Sequence, residues 1–213
     1  MLENNISCTI KLFVLGNFAV GKTSLINKFI YNKFREIYLP TIGFDYTSKN
    51  IILPNEKKVK ISFHDTAGQE RYRSIAFNLI NSADGIILTY DITNRESFNA
   101  IPDWINSIRE HKGEYFPIVL IGNKCDLEEE RELKTIEGKE LARKYGFLFF
   151  EASSKEGNNV QESILELALK IFEQKKKEGT IEEKNEIKIE KEKVKKKLFK
   201  LKIFKMPRKK CKC

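Results

Sequence analysis

The sequence contains no apolar run approaching the ~18 residues that a membrane-spanning helix needs, so no segment is expected to cross a bilayer. Its first residues lack the basic start and continuous apolar stretch of a secretory signal, and Leu2 stands where N-myristoylation requires glycine. Attachment to a membrane is therefore expected to come from the other end. Cysteine is scarce: of four, Cys8 and Cys125 lie alone inside periodic segments while Cys211 and Cys213 crowd the terminus. That spacing excludes a disulfide framework and points to a reducing compartment. Nothing repeats at a fixed period, which argues against a solenoid.

What is present suffices for one good core, since the chain has 213 residues and 41% hydrophobic content. The net charge of +9 is unevenly placed: residues 184–213 carry fourteen Lys and Arg against three Glu, a balance of +11, which leaves −2 for residues 1–183. The basicity belongs to a tail, and the globular part is nearly neutral.

Ile10 to Leu15 is a β-rich run closed by Gly16, and Ser24 to Tyr31 has apolar residues at helical spacing, so the chain is expected to open as strand, glycine loop, helix. Ile51 to Leu53 and Val59 to Phe63 flank the turn sequence Pro54-Asn55-Glu56 and read as an antiparallel hairpin. Gly85 to Tyr90, Pro117 to Ile121 and Phe147 to Phe150 are short continuous apolar runs of the kind found in strands buried on both faces. Helical patterns cover Ser97 to Arg109, Thr135 to Tyr145 and Val160 to Phe172. This alternation predicts an α/β fold with a mostly parallel sheet covered on both sides, and ligands collect at the carboxyl ends of such strands.

Gly16-Asn17-Phe18-Ala19-Val20-Gly21-Lys22-Thr23 fits the pattern G-x-x-x-x-G-K-[ST] between a predicted strand and a predicted helix. Gly21 permits a tight loop whose N–H groups face phosphate oxygens; the helix N-terminus adds partial positive charge and Lys22 a full one. Thr23 offers a hydroxyl to Mg²⁺. Asp65, after the strand ending at Phe63, is placed to hold the same ion through water, and Thr41 to complete its shell when a γ-phosphate is present.

Asn123-Lys124-Cys125-Asp126 follows the predicted strand ending at Ile121. The Asp126 carboxylate suits the ring N–H and exocyclic amine of guanine, whereas adenine has no matching pair of donors on that edge. The wrong base leaves buried acceptors unpaired, which is the source of selectivity. Lys124 is placed to lie along the base, and Glu151-Ala152-Ser153-Ser154-Lys155 to give a backbone N–H to the guanine carbonyl. A P-loop ATPase or kinase is the rival class, and the stretch from Asn123 to Asp126 argues against it.

With these motifs in order, the chain from Thr9 to Phe172 is similar to the Ras superfamily and within it resembles the Rab family. Ile42-Gly43-Phe44-Asp45, Arg71-Tyr72-Arg73-Ser74-Ile75 after Gln69-Glu70, Tyr90-Asp91-Ile92-Thr93 and the two terminal cysteines carry the Rab resemblance. It implies a three-layer P-loop NTPase fold, with a six-stranded, mostly parallel sheet and helices on both faces, forming a G domain over residues 1–177. Phosphate contacts would fall to Phe18, Ala19, Val20, Gly21, Lys22, Thr23, Ser24, Tyr38, Thr41 and Gly68. Phe34 would stack on the guanine, beside Asn123, Lys124, Asp126, Ser153, Ser154 and Lys155. The switches would span Tyr38 to Asp45 and Ala67 to Asn78.

By the same resemblance the activity is slow GTP hydrolysis, with Gln69 orienting water and Lys22 and Thr41 completing the catalytic set. As in Ras itself, an activating protein's arginine would add about 10³ to 10⁵ in rate. The implied partners are GTP and GDP, an exchange factor, an activating protein, a GDP-dissociation inhibitor or escort protein, and effectors that read the switches. The implied role is membrane traffic, from the cytoplasmic face of an intracellular membrane with a cytosolic GDP-bound pool. No oligomer is demanded.

Phe18 departs from the small residue usual at its position, and a ring there is expected to reduce hydrolysis unless it turns to solvent. The alternative reading is thus a GTP-locked recruitment platform. His64 stands where Rabs carry tryptophan, and Phe77-Asn78-Leu79-Ile80 where a tyrosine pair is common; His64 is expected to fill space. His111 reads as solvent-facing and Trp104 as core.

Residues 178–213 are rich in Lys and Glu and are expected to act as a disordered tether. Lys195 to Lys205 mixes cations with large apolar groups, which suits an anionic leaflet. Nucleic acid is not an expected partner, because no aromatic-lined basic fold accompanies these lysines. Cys211-Lys212-Cys213 resembles the terminus on which Rabs receive two geranylgeranyl groups, and two chains anchor stably where one does not.

Overall fold

The first strand, β1 (Cys8–Leu15), sends alternate side chains to opposite faces of a sheet, and both faces are covered. Ile10, Leu12 and Val14 enter one apolar cluster; Phe13 and Leu15 enter the other. The computed structural model describes residues 6–34, 44–66 and 80–181. Among these, β1 is joined by β2 (Phe44–Ile52), β3 (Lys58–Thr66), β4 (Gly85–Asp91), β5 (Ile118–Asn123) and β6 (Leu148–Ala152) in one six-stranded sheet of order β2-β3-β1-β4-β5-β6. Only β2 runs antiparallel, paired with β3; β1 pairs in parallel with both β3 and β4.

Five α-helices are described: α1 (Lys22–Tyr31), α2 (Arg95–Asn99), α3 (Ile101–Lys112), α4 (Thr135–Tyr145) and α5 (Val160–Lys177). Leu25 and Phe29 of α1 and Ile164, Leu167 and Ile171 of α5 fill the cluster on one face of the sheet. Trp104, Ile105 and Ile108 of α3 and Ala142 of α4 fill the other. Every residue of β4 and β5 is buried, as expected of central parallel strands.

The structure departs from the sequence expectations at four places. The hairpin strands reach well beyond the apolar cores of 51–53 and 59–63, because the polar residues of β2 lie at the sheet edge and tolerate solvent. The single helix expected over 97–109 is two: Pro102, at the start of α3, has no N–H to give a preceding turn, so the chain breaks at Ala100. β6 is only half-buried over most of its length, since it forms the other sheet edge. Finally, α5 continues past Phe172 to Lys177. There Lys175 Nζ pairs with Asp84 at 2.7 Å, and the basic last turn opposes the negative end of the helix dipole. No described helix is long and apolar enough to cross a membrane.

From β1 the sheet grows outward in two directions, through β3 to β2 on one side and through β4 and β5 to β6 on the other. The strand order therefore reverses at β1, which opens a crevice at the carboxyl ends of β1, β3, β4 and β5.

Candidate nucleotide-binding site

The loop leaving β1 is shaped by two glycines. Gly16 has φ 139°, and a Cβ there would lie 2.1 Å from the carbonyl oxygen of Thr89. Gly21 has φ 95°, and its Cβ would meet Asn123 Nδ2 at 2.3 Å. Any side chain at either position would force the loop away from its neighbours. Gly21 is also the N-cap of α1. It offers no side-chain acceptor, and the first turn holds no acid, so the positive end of the helix faces the crevice without an anion of its own.

Lys22 is buried at 6% exposure, and its ammonium donates to the carbonyls of Gly16 at 3.0 Å and Asn17 at 2.7 Å. Burial pushes its pKa down to about 8, and the Asp65 carboxylate pulls part of the way back. Both partners of the ammonium are neutral, so the cation sits in a place that favours an arriving anion.

Asp65, in β3 opposite Val14 of β1, is buried, and Thr23 Oγ1 donates to its Oδ2 at 2.5 Å. Two of the three residues expected to hold a metal, Thr23 and Asp65, are thus brought together across 42 residues of chain. No group of three or more His, Cys, Asp and Glu suited to a metal occurs among the described residues. A Mg²⁺ ion held by a hydroxyl, phosphate oxygens and waters needs none.

The far wall is built by β5 and β6. Asn123 is 1% exposed; its Nδ2 donates to Val20 O at 2.8 Å, and its Oδ1 accepts from Ser154 N at 3.1 Å and Ser154 Oγ at 2.9 Å. Its carboxamide therefore ties the phosphate loop to the loop after β6. Ser153 is used in the same way: its Oγ accepts from Glu156 N at 2.9 Å, and its own N–H bonds Asn158 O at 3.1 Å. Of the residues expected to meet guanine, these three are engaged in building the wall. Lys124 adopts φ 67° and pairs with Asp91, which also accepts from Thr93 N and Oγ1. Asp126 is half-buried, and no hydrogen bond or ion pair among the described residues takes its carboxylate. Lys155 is exposed, and its carbonyl accepts from Lys28 Nζ at 3.0 Å.

Phe18 lies on the outer arm of the phosphate loop at 47% exposure, beside the exposed Ala19, and Phe34 is 38% exposed. Val20 is buried and Ser24 half-buried at the start of α1. His64 stacks on Phe13 with centroids 4.3 Å apart and meets the edge of Tyr46. Burial lowers its pKa, with Lys11 adding to the effect. It fills space, as expected, and His111 is exposed. Tyr38, Thr41, Gly68, Gln69, Cys211 and Cys213 lie outside the described residues.

Three contributors were missed in the sequence. Trp104 is core, but its indole Nε1 also donates to Asn17 Oδ1 at 2.9 Å; the available signal was that a buried indole N–H requires an acceptor. Asp91 pairs with Lys124, and Arg131 braces the end of β6 by donating to both oxygens of Glu151 at 2.7 and 3.0 Å. Arg131 carries no spacing that singles it out, and Asp91 stood only within the Tyr90 to Thr93 stretch that carries the Rab resemblance.

Replacing Asn123 with Ala removes the partners of Val20 O and Ser154 N at once. The expected cost is about 1–3 kcal/mol of stability by denaturant unfolding, together with faster release of bound nucleotide in a filter assay.

The Ras family profile matches residues 11–173. Among curated proteins, the Ras-related protein Rab-3B of Rattus norvegicus is 44% identical over 161 residues, 76% of this chain and 73% of that protein. Rab-3C of Bos taurus is 42% identical over 161 residues, covering 76% and 70%. Rab-3B of Homo sapiens is 44% identical over 161 residues, covering 76% and 73%. Nothing in these relatives or in the fold favours a GTP-locked platform over a cycling enzyme. The chain belongs to the Ras family and, within it, to the Rab small GTPases.

Proposed function

We propose that this Rab small GTPase, which hydrolyses GTP and regulates vesicle traffic, holds its nucleotide in the crevice between the β1 loop and the loops after β5 and β6. The observation that carries the reading is the meeting of Thr23 with Asp65 beside the buried ammonium of Lys22. Phosphate oxygens would accept from the loop N–H groups of residues 18–24 and from Lys22, whose burial strengthens each such bond. Asp126 and Lys124 would read the guanine, with the Ser153 to Lys155 loop closing over it and Phe34 stacking on its face.

The donors present fit a Mg²⁺ ion. The Thr23 hydroxyl and the Asp65 carboxylate already face one another. Once bound, the ion supplies charge neutralisation at the β and γ phosphates. Thr23, Thr41 and, through water, Asp65 would hold it. Gln69 would orient the attacking water, and Lys22 would stabilise charge on the phosphates. Thr41, Gly68 and Tyr38 would contact the γ-phosphate, so that both switches respond to its loss.

Exchange and activating proteins would set the two rates, effectors would read the GTP state, and a GDP-dissociation inhibitor or escort would carry the lipidated GDP form. The basic tail and geranylgeranyl groups on Cys211 and Cys213 would keep the protein on the cytoplasmic face of an intracellular membrane.

Two measurements test this reading. Lys22→Met is expected to weaken GDP binding by about ten- to a hundredfold, the value of one charged hydrogen bond. Thr23→Ala is expected to abolish the dependence of GDP release on Mg²⁺. Wild-type affinity in the first variant, or undiminished Mg²⁺ dependence in the second, contradicts the reading. Mass spectrometry of membrane-bound protein from its native cell is expected to find both Cys211 and Cys213 geranylgeranylated, and unmodified thiols there would exclude the anchor.

A further inference from the structure

The phosphate loop is bonded to a helix that none of the nucleotide motifs includes. Trp104 of α3 is 6% exposed within an apolar cluster, and its Nε1 donates to Asn17 Oδ1 at 2.9 Å across 87 residues of chain. Asn17 is the second residue of the loop. Its carbonyl is engaged as well, accepting from Lys22 Nζ at 2.7 Å.

In the arm that follows, Phe18 and Ala19 are exposed, and Ala19 takes φ 59°, a left-handed conformation that costs a non-glycine residue free energy. Beyond them, the chain is pinned again at Val20 by Asn123. The strained arm thus lies between a bond at Asn17 and a bond at Val20.

We propose that Trp104 is a positioning residue for the phosphate loop: its indole N–H holds Asn17, and through it the arm from Asn17 to Ala19, in the nucleotide-receiving shape before nucleotide arrives. The proposal rests on the reading of this loop as a phosphate cradle. A loop already ordered loses less conformational freedom when its ligand binds, so weakening the anchor shortens the life of the complex. The same bond couples the α3 side of the sheet to the phosphates, although α3 contributes none of the predicted ligands.

A double-mutant cycle on the release of a fluorescent GDP analogue in excess Mg²⁺ tests the proposal. Trp104→Phe keeps an aromatic ring in the core and removes the donor; Asn17→Ala removes the acceptor from the loop side without touching the core. Each single variant is expected to release GDP about two- to tenfold faster, the range that one net hydrogen bond supplies. The double variant is expected to release no faster than the faster single, because both changes delete one interaction. Thermal unfolding is recorded alongside: a merely structural Trp104 would lower Tm while leaving release at the wild-type rate. That result, or effects that multiply, overturns the proposal.

Trp104 is the only tryptophan in the chain, so its emission gives a readout that does not require Trp104→Phe to fold. Asn17→Ala is expected to shift that emission as the indole loses its acceptor, and an unshifted spectrum would count against the bond. A wild-type chain that holds no GDP overturns this proposal and the site reading together. A wild-type chain that holds GDP but shows a flat cycle overturns this proposal alone.

Discussion

The buried carboxamide of Asn123 donates to Val20 in the phosphate loop and accepts twice from Ser154 in the loop after β6. Those segments are separated by 103 and 31 residues from Asn123, so one side chain closes a structure that local sequence cannot. The approach is possible only because position 21 has no Cβ; an added one would stand 2.3 Å from the Asn123 amide nitrogen. Gly21 and Asn123 are two halves of one constraint. The helix N-terminus behind Lys22, the phosphate loop and the base-side loops keep their relative places because that contact is made.

Electrostatics then decide what the crevice is for. A buried ammonium bonded only to neutral carbonyls is costly, and burial lowers its pKa to about 8. The open end of α1 adds positive potential without an acidic cap. Close by, Asp65 brings a buried carboxylate to the Thr23 hydroxyl. A buried ammonium and an open helix end, with a carboxylate and a hydroxyl beside them, suit a polyphosphate carrying a divalent cation. An isolated nucleoside offers neither the negative charge nor the cation that these groups suit.

Much of this was legible in the sequence because the motifs are local. Gly16 to Thr23 encodes a strand-to-helix turn, and continuous apolar runs such as Gly85 to Tyr90 have few alternatives to a buried strand. The break at Ala100 was written in Pro102 but was masked by unbroken helical periodicity on both sides. The full length of β2 was not legible, because an edge strand can be polar and its pairing with β3 is decided by the partner. Within the site, the presence of Asn123 and Ser154 was readable, but their bond to each other and to Val20 was not. Hydrogen bonds between segments far apart in the chain leave no periodic trace, and the Trp104 to Asn17 bond was hidden for the same reason.

The central claim is that this preformed crevice selects guanosine nucleotides, with Asp126 on the base and Lys22, Thr23 and Asp65 at the phosphates. Competition of GTP and ATP against a bound fluorescent GDP analogue, in millimolar magnesium, tests it most directly. The account predicts displacement by GTP at concentrations orders of magnitude below those at which ATP acts. Equal displacement by the two nucleotides would contradict it.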